Sequence, residues 1–169
     1  KNGIKPLRLK AETEFVRSAP GGTGYAKTGG NYAAALLPIK HAQAEGFDQI
    51  IWLDAINRRT VEEMGAMNIA FVYPDRIVTA ATGDTILDGV TRDSVGALCR
   101  DFGLNWVEEP PAIARVCADA DAGRLKEVFA CGTAAVVTPV GVIHFGREDH
   151  RIGDGKEGPI TRRLRETLC

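Results

Sequence analysis

One stretch of the chain is glycine-rich enough to bring backbone against a bound molecule. It runs Gly21-Gly22-Thr23-Gly24-Tyr25-Ala26-Lys27-Thr28, with Gly29, Gly30 and Tyr32 just beyond. Two chemistries fit it. In a phosphate-binding loop of pattern G-x-x-x-x-G-K-[ST], backbone amides cradle phosphates and a lysine reaches the terminal one. Gly21 and Lys27-Thr28 match the ends of that pattern, and Ile50 to Asp54 imitates the acid-terminated strand that accompanies it. Against it, Ala26 stands where the turn needs a residue without Cβ, Pro20 precedes it in place of an apolar strand, and two glycines follow in place of a helix. The alternative is a lysine amine that condenses with an aldehyde cofactor, which works best in a restricted pocket that lowers its pKa. The flanking glycines would let a bulky cofactor lie against the backbone, and Tyr32 could reach its phenolic oxygen. Without such a partner, a lysine in a glycine loop is simply solvated.

Other reactive side chains are scattered. Cys99, Cys117, Cys131 and Cys169 show no CxxC spacing and no nearby histidine pair, so free thiols are expected rather than a disulfide or zinc framework. His41, His144 and His150 have no partners by sequence, and Arg162, Arg163 and Arg165 mark a solvated face of a last helix. With 21 basic against 22 acidic residues the net charge is −1, which lacks the electrostatic footprint of a nucleic-acid binder. Hydrophobic content of 44% over 169 residues suits one globular domain, and no apolar run approaches the roughly 18 residues of a membrane span. Lys1-Asn2-Gly3 is not followed by the apolar stretch of a signal peptide, and the absence of an initial Met suggests a piece of a longer product.

The elements that must position these residues follow from periodicity and punctuation. A short strand is predicted over 12–17. A helix is predicted from Asn31, as N-cap, to Glu45, with Gly46 as its stop and Pro38 kinking or shortening it. Strands are predicted over 49–54 and 60–63, and a hairpin over 68–73 and 77–79. A second helix over 90–102 ends at Gly103, a strand covers 104–108, and a third helix covers 112–125. Strands over 127–131, 134–137 and 141–145 precede a terminal helix over 159–168 that starts with proline. This order implies one mixed α+β domain rather than a regular βαβ array.

Four segments, in this order and at this spacing, carry a resemblance: Lys27-Thr-Gly-Gly-Asn-Tyr32, Glu63-Met-Gly-Ala-Met-Asn68, Leu87-Asp-Gly-Val-Thr-Arg-Asp93 and Cys131-Gly-Thr-Ala134. Together they closely resemble the large C-terminal domain of branched-chain amino acid aminotransferases, the fold-type IV pyridoxal-phosphate enzymes. The likeness runs from Phe15 to Leu168. It implies an α+β fold with a mixed sheet or pseudo-barrel and flanking helices, and a single pyridoxal 5′-phosphate-binding large domain over residues 1–169. By the same resemblance Lys27 is the covalent anchor and proton carrier, Glu63 faces the pyridine nitrogen, and Tyr32 bonds the ring hydroxyl. Leu87 packs on the ring, and Val90, Thr91 and Thr133 hold the phosphate. Val90 and Thr91 also open a predicted helix, where free N–H groups favour an anion. The backbone of Thr133 and Ala134 matches the site of the substrate's α-carboxylate. Arg17 is either a charge behind the cofactor or a surface residue, and Glu62 is expected to be an exposed strand carboxylate.

The resemblance further implies transfer of the amino group of Leu, Ile or Val to 2-oxoglutarate by a ping-pong route, in a cytoplasmic homodimer. An N-terminal domain, which nothing upstream of Lys1 supplies, is expected to complete the site. Several residues depart from the pattern. Ala66 stands where many relatives have Thr, Asp88 replaces a Pro beside the phosphate site, and the stretch Thr79 to Asp84 is altered. Ala135 and Thr138 replace a redox cysteine pair. Those changes keep open a specialised biosynthetic aminotransferase, epimerase or lyase acting on another amino acid, and a non-catalytic fragment serving in folding or assembly.

Overall fold

The computed structural model describes residues 4–168. The elements in chain order are β1 (Leu7–Ala11), α1 (Gly29–Ala44), β2 (Gln49–Leu53), β3 (Val61–Met64), β4 (Asn68–Val72), β5 (Ile77–Thr79) and α2 (Val90–Asp101). They continue with β6 (Trp106–Glu108), α3 (Ile113–Asp121), β7 (Glu127–Gly132), β8 (Val136–Phe145), β9 (Glu148–Arg151) and α4 (Pro159–Leu168). All nine strands join one mixed sheet in the order β3-β2-β1-β8-β7-β4-β5-β6, with β9 added to β8. The sheet curls. Its β3 end returns to β4 through a tight turn at Gly65-Ala66, where Met64 and Met67 each donate an amide to the other's carbonyl at 2.8 Å.

Side-chain alternation splits the core between the two faces. From β4, Ile69 and Phe71 turn toward α3 and join Leu9, Ile51, Val116 and Ile143, while Ala70 and Val72 turn toward α2 and α4 with Val95, Phe129 and Leu164. A third cluster seats α1 on β2 through Ala35, Ala42, Ile50 and Trp52. Ile50 to Leu53 are buried on both faces, as a continuous apolar run requires.

The structure moves several predicted boundaries. The first strand lies at Leu7–Ala11, not 12–17; beyond it the Glu12 carboxylate accepts the amides of Glu14 and Phe15 and turns the chain out of the sheet. The first helix starts at Gly29 with Thr28 as N-cap, so Asn31 lies inside it, and it runs through Pro38 without being shortened. It stops as expected at Gly46, whose φ of +88° lets Phe47 donate back to Ala42. The third helix ends before 125 because Gly123, at φ +68°, reverses the chain. The strands predicted at 134–137 and 141–145 are one, β8. Pro139 sits within it where β1 has not yet begun to pair, and Gly141 is an extra residue between the Leu7–Val140 and Arg8–Val142 pairs. The charged strand β9 has no apolar alternation to betray it.

Of the three histidines, His144 pairs with Asp149 at 2.7 Å and His150 with Asp121 at 2.9 Å. Cys99, Cys117 and Cys131 are free and buried, while Cys169 and Lys1-Asn2-Gly3 lie outside the described residues. Among the described residues no helix is long and apolar enough to cross a membrane.

Helix α4 is held by a buried acid from the sheet. Glu127 in β7 accepts the amides of Ile160 and Thr161 and the Thr161 hydroxyl at 2.7–3.0 Å, and it packs so close to Gly158 that a Cβ there would lie 2.0 Å from its carboxyl carbon. Replacing Glu127 with Ala leaves these donors without a partner and is expected to cost about 2 kcal/mol. Urea unfolding checks this; an unchanged midpoint would refute the capping role.

Candidate active site

The lysine loop is fixed by hydrogen bonds that its sequence does not advertise. Tyr25 N donates to Asp84 O at 3.0 Å, Gly21 N to the Asp84 carboxylate at 3.2 Å, and the Arg17 guanidinium to Gly24 O and Thr85 O. Gly24 passes so close to the neighbouring segment that a Cβ would lie 2.6 Å from Thr85 Cα. These contacts also dispose of the phosphate-loop alternative. A helix does follow at Gly29, contrary to expectation, but the amides of Gly21, Gly22, Tyr25, Ala26 and Thr28 are all spent within the protein and cannot cradle phosphates. The supposed accompanying acid, Asp54, caps its own turn. Burial opposes its charge, yet amides from Asn57, Thr60 and Arg59 hold its carboxyl well below the ordinary range.

Glu63 is the buried acid of the site. It lies in β3 opposite Trp52 and is 2% exposed. One carboxylate oxygen accepts the Leu87 amide at 2.9 Å and the Asn68 side-chain amide at 3.4 Å; the other meets Arg17 Nε at 2.8 Å. Burial pushes this carboxyl up to about 7, against the pull of Arg17 and the Leu87 amide. Arg17 is therefore no surface residue: its side chain is 7% exposed and joins Glu63 to the loops on either side. Glu62 also departs from expectation. Strand β3 is covered on both faces, so Glu62 is buried, and burial raises its carboxyl although the Thr85 hydroxyl and Arg17 pull it back.

A cleft of about 260 Å³ gathers Lys27 and Tyr32 from one side, Leu87, Val90 and Thr91 from another, and Thr133 and Ala134 from a third. Of the residues predicted for the site, only Glu63 is not a wall of this cleft. It lies behind Leu87 and Asn68, which do line it. Two groups of amides without a protein partner belong to residues that line the cleft. The first turn of α2 has Gly89 as N-cap and no side-chain cap, and the Thr133 and Ala134 amides donate no hydrogen bond among the described residues. Asp88 lies on the rim, largely exposed, 3.9 Å from the buried Arg92 guanidinium, which moderates the charge it brings to the amides of α2.

Sequence reasoning gave Asn68 no role. It bridges the Glu63 carboxylate and Leu87 O, and it packs against Gly89, where a Cβ would lie 2.5 Å from its side-chain oxygen. Its place at the end of the Glu63–Asn68 motif, as a polar residue opening an apolar strand, was the available signal. Asn31, expected as the helix N-cap, instead turns its carboxamide back onto the lysine loop.

Residues 2–143 match the family described as Amino-transferase class IV. The chain belongs to the class IV aminotransferases. It is 48% identical over 172 residues to a branched-chain-amino-acid aminotransferase of Mycobacterium tuberculosis, covering 99% of this chain and 47% of that protein. It is 47% identical to branched-chain-amino-acid transaminase 1 of Bacillus subtilis, covering 98% and 46% respectively. The chain thus spans about half the length of the curated relatives it matches. Among solved structures, it resembles the branched-chain aminotransferase of the thermophilic archaeon Thermoproteus uzoniensis with norvaline, with a TM-score of 0.81 and 28% identity over 97% of this chain and 50% of that one. The Escherichia coli branched-chain amino acid aminotransferase gives a TM-score of 0.81 at 26% identity, over 99% and 52%. The expected α+β fold, with its curled mixed sheet and flanking helices, is that of this class.

The raised Glu63 carboxyl makes the stability of this chain pH-dependent. From 4.5 to about 7 the folded chain keeps a proton that the unfolded chain has lost, so this contribution to stability falls as pH rises through that window and levels off above it. Glu63→Gln should remove that component, up to about 3 kcal/mol, from urea unfolding followed between about pH 5 and about pH 8 without cofactor. An identical pH slope in the variant would contradict the assignment.

Proposed function

We propose that the protein containing this chain is a pyridoxal 5′-phosphate-dependent branched-chain amino acid aminotransferase, passing the amino group of Leu, Ile or Val to 2-oxoglutarate. The observation that carries this reading is one cleft that joins a lysine amine, a tyrosine hydroxyl and two sets of free amides above a buried acid. The donor set fits the cofactor: an amine for its aldehyde, amides for its phosphate, a phenol for its ring oxygen and an acid for its basic nitrogen. The likeness to the branched-chain enzymes named above supports the substrate class.

Lys27 would hold the aldehyde carbon covalently, and the α2 amides with Thr91 and Thr133 would hold the phosphate. Tyr32 would donate to or accept from the ring oxygen, with Leu87 packed on the ring. When bound, pyridoxal phosphate supplies an electron sink for the carbanion left as the substrate's Cα proton departs. Glu63 would keep the ring nitrogen protonated, and a cation there draws its own carboxyl back below about 7, into the ionised form. Lys27 Nζ, once freed, would take up the Cα proton and deliver it to the carbon it had held. The Thr133 and Ala134 amides would orient the substrate carboxylate. We take residues 1–169 to be the large domain, with the rest of the protein covering the open side of the cleft. The exposed Leu36 and Leu37, one turn beyond Tyr32, support a covering partner there, and the family resemblance makes a homodimer the expected assembly.

Borohydride treatment of the protein with pyridoxal phosphate, followed by peptide mapping, should place the label on Lys27; label elsewhere or none would defeat the reading. Lys27→Ala should lower amino transfer more than about 10³-fold while the protein stays folded. Product analysis should show a 2-oxo acid and glutamate, whereas an inverted stereocentre or released ammonia would assign a different reaction to the same cleft.

A further inference from the structure

The side chain of Asn31 does something that neither its place in the helix nor the proposed chemistry requires. It lies in the first turn of α1 and is 7% exposed, yet it caps nothing in the helix. Its carboxamide nitrogen donates to Thr23 O at 2.8 Å and to Ala26 O at 3.0 Å, and its oxygen accepts the Thr23 hydroxyl at 3.2 Å. Carbonyls only accept and the hydroxyl can donate, so this set needs two N–H groups on one atom beside an acceptor, which a carboxamide supplies and a carboxylate does not. The two carbonyls bracket Gly24 and Tyr25, and the second belongs to the residue just before Lys27.

The loop is thus fastened at two points. Asp84 and Arg17 hold its front, at Gly21, Gly24 and Tyr25, and Asn31 holds its back, at Thr23 and Ala26. The Thr28 hydroxyl also approaches Thr23 O at 3.3 Å, but Thr28 is exposed and water competes for that contact. Ala26 O also accepts the Thr28 amide at 3.0 Å and the Thr28 hydroxyl at 3.5 Å, but both come from the loop's own turn; the buried carboxamide is what ties the peptide from which Lys27 departs to the body of α1. We infer that Asn31 is the positioning residue of Lys27: by locking the Thr23 and Ala26 carbonyls it sets the direction in which the amine enters the cleft. This rests on Lys27 being the covalent lysine.

The test compares the protein with its Asn31→Ala and Asn31→Asp variants. Two quantities are followed: the rate at which pyridoxal phosphate and cyanoborohydride label Lys27, and hydrogen exchange across residues 23–28 without cofactor. Circular dichroism checks folding. Asn31→Ala should slow labelling at Lys27 by about tenfold and speed loop exchange by a similar factor, with labelling of surface lysines unchanged. Asn31→Asp separates positioning from a merely structural part. Its neutral acid keeps one donor, while its carboxylate repels both carbonyls, so its labelling rate relative to the parent should fall as pH rises through the titration of that acid. It also tests the idea should the Ala variant not fold. Lys27 labelled at the parent rate in the variants, with a ratio indifferent to pH, would overturn the inference alone. No label on Lys27 in the parent would overturn the reading of Lys27 itself, and this inference with it.

Discussion

A buried ion pair organises the site. Glu63 and Arg17 meet at 2.8 Å with side chains 3% and 7% exposed, where each charge is costly to desolvate and depends on the other. Such a pair contributes little net stability against an apolar substitute, but losing one partner strands the other at about 3–5 kcal/mol. Its value here lies in what it joins. Arg17 reaches the carbonyls of Gly24 and Thr85, and Glu63 accepts the amide of Leu87. The loop carrying Lys27, the segment leading to α2 and the strand beneath them are thereby tied to one point in the core.

Around that point the charges are laid out by polarity. The acid lies behind Leu87 and Asn68 in the cleft wall, and the two sets of amides without protein partners belong to other parts of that wall, so a ligand basic at one end and anionic at others would meet its complement at each. The first turn of α2 is kept open by Gly89, because Asn68 fills the space a side chain would take. Asp88 brings a negative charge to this otherwise anion-seeking rim, with Arg92 beneath it as the nearby cation.

The helices and apolar strands were legible in the sequence because their signals are local: the 49–53 run, the stops at Gly46 and Gly103, and Pro159 opening α4. The residues around the cleft were legible only through four ordered motifs, since no periodicity links Lys27 to Thr133. What escaped was set by distant partners. Strand β1 and the irregular Glu12–Arg17 stretch were exchanged because pairing with β2 and β8 on either side and the Glu12 turn decide between them, not propensity. Glu62 looked exposed because strand β3 is covered from both sides by segments far off in sequence. Asn31 and Asn68 gained their roles from carbonyls and carboxylates brought to them by folding.

The central claim is that Glu63 faces the nitrogen of a ring held in this cleft. A crystal structure of the protein with pyridoxal 5′-phosphate tests it most directly. The ring nitrogen is expected within hydrogen-bond distance of the Glu63 carboxylate, about 2.7–3.2 Å, with the phosphate at the first turn of α2. A ring nitrogen turned to solvent, or a phosphate seated elsewhere, would contradict it.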